Sequence, residues 1–278
     1  LIATCLKHAT LSSDFVNWQS ADVDKDTFTR FREQILVDLL DNCFGIVPVR
    51  YLGFVSSSFD SAQNWQQIEA STFVGRAAAG AAKKLVTSKA AERSRETPNE
   101  TRDRTETEIF LRITLSRIGD ASITPLPPHA QIFASHPLVV ASTCRLVGAY
   151  APWLGQQLSG DKIQIPQKCI SYLLAALSAP EAFRHASSAF RDVCGRCSDG
   201  FAKPETLQGI LEAAERAMPE LPQNNSESVG SGAAAFGGCG VDGDDDRSGV
   251  VEGLARVVAA VTDPTAAAAA AKNLTAPI

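Results

Sequence analysis

Residues 165–201 decide the fold, and they read IPQKCISYLLAALSAPEAFRHASSAFRDVCGRCSDGF. Apolar side chains at helical spacing predict a first helix, marked by Ile170, Leu173, Leu174 and Leu177. Ser178-Ala179-Pro180 ends this helix and begins the next, with Pro180 in a favoured first-turn position. The second helix carries one apolar stripe: Phe183, Ala186, Phe190, Cys194 and Cys197. One antiparallel hairpin cannot bury both of its faces, so the stretch predicts further hairpins on either side.

The chain repeats this unit. Pro137 and Pro180 each begin the second helix of a pair, and they lie 43 residues apart. That distance falls within the period of roughly 40–47 residues typical of HEAT and armadillo repeats. We therefore predict an all-α protein, an α-α superhelix of the HEAT/armadillo solenoid type. Residues 1–278 would form one segment of a longer protein, with about four to five helix pairs.

A long helix is predicted near the start of the chain, over residues 26–46. The apolar spacing assigns its inward face to Phe28, Phe31, Ile35, Leu39 and Cys43, with Leu36 and Leu40 beside them. Two other stretches lack this pattern: residues 88–108 mix charges of both signs, and residues 219–247 are rich in Gly, Ser, Asn and Asp. Such segments bury too little apolar surface to offset the entropy of ordering, so both are predicted to be disordered or weakly helical insertions.

Composition excludes several classes of function. The net charge is −5, which argues against nucleic acid as a partner and mildly favours basic proteins. No run of about 18 apolar residues is present, so no membrane insertion is expected. The seven cysteines are an odd number scattered through helical segments, which indicates free thiols in a reducing compartment.

No catalytic or metal-binding constellation is evident. A zinc site at Cys194-x-x-Cys197 would need further ligands such as Cys144, Cys169 or His185, but both cysteines lie on an apolar helix face. Packing in the core is the preferred interpretation. Asp242-x-Asp244-x-Asp246 resembles the start of a calcium loop and lacks its later ligands, so a solvated acidic loop is preferred. We predict no enzyme, no cofactor and no metal, and keep a thiol or metal enzyme as a remote alternative.

Four stretches, in order along the chain, resemble one family of helical-repeat proteins. They are FTRFREQILVDL at Phe28–Leu39, WQQIEASTFVGRAAAGAAK at Trp65–Lys83, TCRLVGAYAPW at Thr143–Trp153, and the helix pair from Cys169 to Cys197. They are similar to the patterns "F..FR..V.DL", "WQ..EA.LF...A.AK", "T..L.GEY..W" and "YL..GL....A..AA.AF..IC..C". These patterns belong to importin-β-type (karyopherin) nuclear transport receptors, specifically the transportin-SR branch with importin-thirteen.

The resemblance implies a nuclear import receptor that shuttles between cytoplasm and nucleus. Such a receptor binds cargo protein on its concave surface, releases it when the small GTPase Ran binds with GTP, and contacts nucleoporins. Cargo of this branch is typically rich in Arg-Ser repeats or their phosphorylated forms. The alternative is a generic HEAT or armadillo scaffold or adaptor outside nuclear transport, which would show the same periodicity.

Polar residues on the second helix of each pair, off the buried stripe, are the candidates for partner contact. They are Glu69, Arg145, Arg184, Arg191 and Asp192. The competing interpretation for each is a plain solvated face. Trp65 is expected to belong to the core.

Overall fold

The computed structural model describes residues 1–15, 18, 24–88, 96–122, 128–134, 136–217 and 243–275. The protein is all-α, and within these ranges no β-strand occurs. Its helices are α1 (Ile2–Ala9), α2 (Lys25–Arg30), α3 (Val37–Ile46), α4 (Pro48–Ser61), α5 (Trp65–Ala77), α6 (Ala79–Val86), α7 (Pro98–Asp120), α8 (Pro137–Ala149), α9 (Ala151–Leu154), α10 (Gln164–Ala176), α11 (Phe183–Phe201), α12 (Pro204–Ala217), α13 (Gly243–Ala259) and α14 (Pro264–Thr275). A π-helical stretch, Phe31–Leu36, joins α2 to α3.

The helices stack in consecutive pairs, which confirms the predicted helical-repeat fold. In three of the pairs a first helix packs on a second: α4 on α5, α10 on α11, and α12 on α13. Between them lies α7, which contacts α4 and α10 and is followed along the chain by α8 and α9. First helices contact first helices, as α7 does α10, and second helices contact second helices, as α5, α8, α11 and α13 do in succession. Each repeat therefore packs on its neighbours, as in an α-solenoid.

The hairpin at residues 165–201 forms as predicted. The turn between α10 and α11 is tight: the Phe183 N–H donates to the Ala179 carbonyl at 2.9 Å. α11 begins at Phe183, three residues later than predicted, so Pro180 lies in the turn itself and not in the first turn of the helix. The apolar stripe faces the core, and Phe190, Cys194 and Cys197 are fully buried.

Small residues bring the second helices close together on both sides of α11. A Cβ atom placed on Gly148 of α8 would lie 3.1 Å from the Ala189 Cβ. A Cβ on Gly249 of α13 would lie 2.6 Å from the Ser187 Oγ. The small residues at 186–189 therefore allow close contact between successive repeats.

The inward face of the first long helix differs from the prediction. Ile35 and Leu39 are exposed (59% and 37%), and the buried side chains are those of Arg32, Leu36, Leu40, Cys43 and Phe44. The π-helical stretch holds more residues per turn than an α-helix, so it shifts the buried stripe by one position. An apolar pattern does not predict that the charged side chain of Arg32 is buried. Its burial depends on an ion pair with Glu69.

Part of the predicted insertion at residues 88–108 is ordered helix, so that prediction is corrected for residues 98–108. Thr97 and Glu100 form a capping box at the start of α7. Arg104 adds ion pairs to Glu96 at 3.1 Å and to Glu108 at 3.3 Å. These polar contacts stabilise the helix although the segment contains few apolar side chains. Residues 89–95 lie outside the described residues.

The second predicted insertion lies mostly outside the described residues, at 219–242. Residues 243–247 belong to α13. The calcium-loop pattern begins at Asp242, which also lies outside them. None of the described helices combines the length and the apolar character needed to cross a membrane.

Candidate partner-binding groove between the second helices

A buried carboxylate joins the π-helical stretch, α5 and α8. The Arg32 guanidinium donates two hydrogen bonds to Glu69, at 3.0 Å and 2.9 Å, and the Ser142 hydroxyl donates to the same carboxylate at 2.6 Å. The Phe73 ring lies 4.1 Å from the Arg32 guanidinium carbon. This set, the Glu69 cluster, contains side chains from the π-helical stretch, α5 and α8. It fixes the positions of these three segments relative to one another.

A second cluster lies beside it and carries surplus positive charge. Arg76 and Arg145 both donate to the Glu33 Oε1, at 2.6 Å and 2.7 Å. Burial alone would raise the pKa of Glu33, but the hydrogen bonds and charges of the two arginines outweigh burial and lower that pKa. Two guanidinium groups thus share one ionised carboxylate. This Glu33 cluster keeps one unbalanced positive charge.

A break between α5 and α6 shapes the same surface. The helix is interrupted at Ala78, and nearby carbonyls accept from tyrosines: Val74 from Tyr51 at 2.6 Å and Gly75 from Tyr150 at 3.0 Å. Asp41 accepts from the Ala81 N–H at 2.8 Å, which caps the restarted helix. The interruption re-aims α6, which carries Lys83.

A groove of about 700 Å³ runs along the second helices α5, α6, α8, α11 and α13. Its basic side chains are Arg76, Lys83, Arg145, Arg196 and Arg256, and the acidic side chain among the lining residues is Asp192. Its floor contains small residues, including Gly148, Ser188 and Ala189. Gly195 leaves room for the Arg256 guanidinium to reach the groove. Positive charge is therefore concentrated here in a chain whose net charge is −5.

Two of these cations have no ion-pair partner among the described residues. Lys83 and Arg196 lie more than 4 Å from every described carboxylate, whereas Arg256 pairs with Glu252. An unpaired cation at a groove surface can be paired by an incoming anion at a small desolvation cost. The groove thus offers free charge for an acidic ligand, and not for a basic one.

His185 lies in the groove wall between these charges. Burial, followed by the charges of Arg145, Arg184 and Arg76, lowers the pKa of His185 to about 4, against a smaller opposing effect of Glu33. The side chain is therefore neutral near pH 7. The positive charge of the groove therefore comes from its arginines and from Lys83.

This pKa predicts a stability loss at mildly acidic pH. Between the unfolded-state pKa of about 6.5 and the folded value of about 4, the unfolded chain binds a proton that the folded chain excludes. The free energy of unfolding should fall by about 2 kcal/mol between pH 7 and pH 5 through this group alone. His185→Gln should remove that part of the pH dependence. Equal pH profiles for both proteins in urea unfolding would contradict the assignment.

The predicted contact residues fall into different environments. Arg145 and Asp192 line the groove. Arg191 lies at its edge, 3.5 Å from Asp192 and 3.9 Å from Glu252, and Arg184 is exposed on α11. Glu69 requires a correction, because it is buried within its cluster and presents no free carboxylate.

Trp65 is half-buried and stacks on His136, with ring centroids 3.7 Å apart and planes 6° apart. Its ring therefore belongs to a contact between the starts of α5 and α8, which agrees with a structural role rather than a place in the groove.

Sequence reasoning missed most of the groove's cations. Those missed are Arg76, Lys83, Arg196 and Arg256, and the buried Arg32 and Glu33 were missed as well. A signal exists within α5, where Glu69 and Arg76 lie seven residues apart and share one face. Lys83 follows at the same spacing, but on α6. On α11, His185, Asp192 and Arg196 are separated by seven and by four residues, so they also share one face.

The cysteines within the described ranges pack in the core. Cys194 and Cys197 are fully buried and carry free thiols, which confirms the interpretation of this pair as core residues. Burial raises the pKa of the Cys197 thiol to about 12, which makes it a poor nucleophile. Across the described ranges, no three His, Cys, Asp or Glu side chains converge as a metal site would require.

Comparisons of the chain with protein-family models, with curated proteins and with solved structures yield no match. Functional inference therefore rests on the four local sequence patterns and on the groove.

Proposed function

We propose that this chain is a segment of a nuclear import receptor that binds cargo protein along its second helices. The groove carries the proposal, because it is continuous over the second helices of four successive repeats. Binding a protein segment over such a length is what stacked helical repeats provide. In this proposal Ran with GTP competes with cargo, nucleoporins guide transit, and the protein shuttles between cytoplasm and nucleus.

The sequence patterns support the choice of a transport receptor over another scaffold. Two of them coincide with residues that shape the groove. The stretch Trp65–Lys83 contributes Glu69, Arg76 and Lys83, and the stretch Thr143–Trp153 contributes Arg145 and Gly148. A generic HEAT or armadillo scaffold remains the alternative, and it would need the groove but neither Ran nor nucleoporins.

A pulldown separates the two functions. The complete receptor should bind Ran locked with GTP, and Ran-GTP should displace cargo, because two ligands that favour incompatible states lower each other's affinity reciprocally. Ran with GDP serves as the control and should displace nothing. If Ran-GTP neither binds nor releases cargo, the chain belongs to a scaffold or adaptor.

A further inference from the structure

We infer that the groove binds an extended acidic protein segment, rich in Asp and Glu, whose carboxylates pair with Lys83, Arg196 and Arg256. This inference rests on the proposed binding of a protein segment by the second helices, and it does not depend on Ran. It departs from the expectation of an unmodified Arg/Ser-rich cargo, since the groove would repel such a ligand.

Charge provides the first argument. Five basic side chains line the groove, with Asp192 as the acidic lining residue. Glu33 balances one of the two arginines that share it, and Glu252 pairs with Arg256. Lys83 and Arg196 are left without a described acidic partner. The local excess of positive charge lies in an acidic chain, so it is a property of this surface and not of the composition. Complementary potential of this kind sets both specificity and association rate.

The placement of the cations provides the second argument. Lys83 lies on α6, Arg145 on α8, Arg196 on α11 and Arg256 on α13, so each of four neighbouring repeats supplies one. Packed helices have axes about 8–10 Å apart, so the row spans roughly 24–30 Å. An extended peptide advances about 3.3 Å per residue and needs about seven to nine residues to cover it. One acidic residue in every three matches one cation per repeat.

The geometry favours carboxylates over a compact polyanion. Tight phosphate sites bring two or more donors to one point. Here Arg76 and Arg145 do converge, but their common target is Glu33. The remaining cations are distributed one per helix. Small residues in the floor, Gly148, Ser188 and Ala189, let an extended backbone lie close to the helices.

Fluorescence anisotropy of a labelled twelve-residue peptide with Asp or Glu at every third position tests the inference. The purified chain should bind it, and binding should weaken as salt rises, because screening acts over about 8 Å at physiological ionic strength. Lys83→Glu with Arg196→Glu should weaken binding at least tenfold. A matched control, Arg112→Glu with Lys203→Glu, reverses two cations outside the groove. It changes the net charge by the same amount as the groove variant and should bind the peptide like the unaltered chain.

Further arms decide the outcome. Neutral replacement, Lys83→Gln with Arg196→Gln, should give an intermediate loss, and circular dichroism should show unchanged helix content in every variant. No binding of the acidic peptide, equal loss in the control, or equal affinity for an unphosphorylated Arg/Ser peptide would overturn the inference. A phosphoserine peptide that binds more than tenfold tighter than the Asp/Glu peptide would overturn the choice of carboxylates. The assay contains no Ran, so failure of Ran binding leaves its result intact.

Discussion

Replacing Glu69 by alanine is expected to lower the free energy of unfolding by about 3–5 kcal/mol. The Arg32 and Glu69 side chains are only 10% and 6% exposed, and they share two hydrogen bonds. Without the carboxylate, Arg32 would remain charged and buried against Phe73, and Ser142 would lose its acceptor. Urea unfolding of the full chain, followed by circular dichroism, measures the loss.

Two further variants serve as controls for Glu69→Ala. Replacing both partners, Arg32→Met with Glu69→Leu, removes the charges together and should cost far less than Glu69→Ala alone, because no uncompensated charge stays buried. Glu252→Ala breaks a half-exposed pair with Arg256 and should cost about 0–1 kcal/mol. If Glu69→Ala costs no more than Glu252→Ala, the Glu69 cluster does not hold the repeats together.

Local patterns in the sequence predicted the repeat but not the groove. The α10–α11 hairpin follows from apolar spacing and one turn, both encoded within about 37 residues. The groove depends on contacts across the chain, and Glu33 and Arg145 are separated by 112 residues. No periodicity within one helix determines which face of a distant helix it meets. The sequence pattern assigns the charged side chains of the groove to helix faces. It does not predict which of them form ion pairs with one another.

The two errors in helix assignment have separate physical causes. The spacing of an undistorted α-helix places Ile35 and Leu39 inward, whereas the π-helical stretch buries Leu36 and Leu40 instead. Large apolar side chains are scarce in residues 98–108, and this scarcity predicts an insertion there. The Thr97–Glu100 capping box was visible in the sequence as Thr-x-x-Glu and predicts a helix start. Capping signals deserve weight where apolar patterns fail.

Both polar clusters bear on how the repeats are oriented. Apolar faces can slide or rotate with small changes in buried area, whereas the two hydrogen bonds of Arg32 to Glu69 hold only one arrangement. Adjacent repeats that keep a fixed angle keep the groove's cations in a row. The Glu69 cluster therefore affects ligand binding through position, although Glu69 itself is inaccessible.

The contact between α11 and α13 depends on Phe190, and Phe190→Ala is expected to cost about 3–5 kcal/mol. The Phe190 ring is fully buried. Its edge fills the space above Gly253, because a Cβ atom placed on Gly253 would lie 2.9 Å from the Phe190 Cδ1. Removing the ring leaves a cavity between two repeats. Urea unfolding should show the loss, and Phe183→Ala, a half-buried ring on the same helix, should cost less.

Gly253→Ala tests whether the Phe190 ring requires glycine at position 253. Alanine favours a helix interior by about 1 kcal/mol over glycine, but with Phe190 present the new Cβ would lie 2.9 Å and 3.0 Å from ring atoms. We therefore expect Gly253→Ala to destabilise the unaltered chain and to stabilise the Phe190→Ala variant. The two substitutions should be coupled by at least about 1 kcal/mol in a double-mutant cycle, because the residues are in contact. Additive effects would show that α13 shifts to accommodate the methyl group and that the spacing between these repeats is not set by this contact.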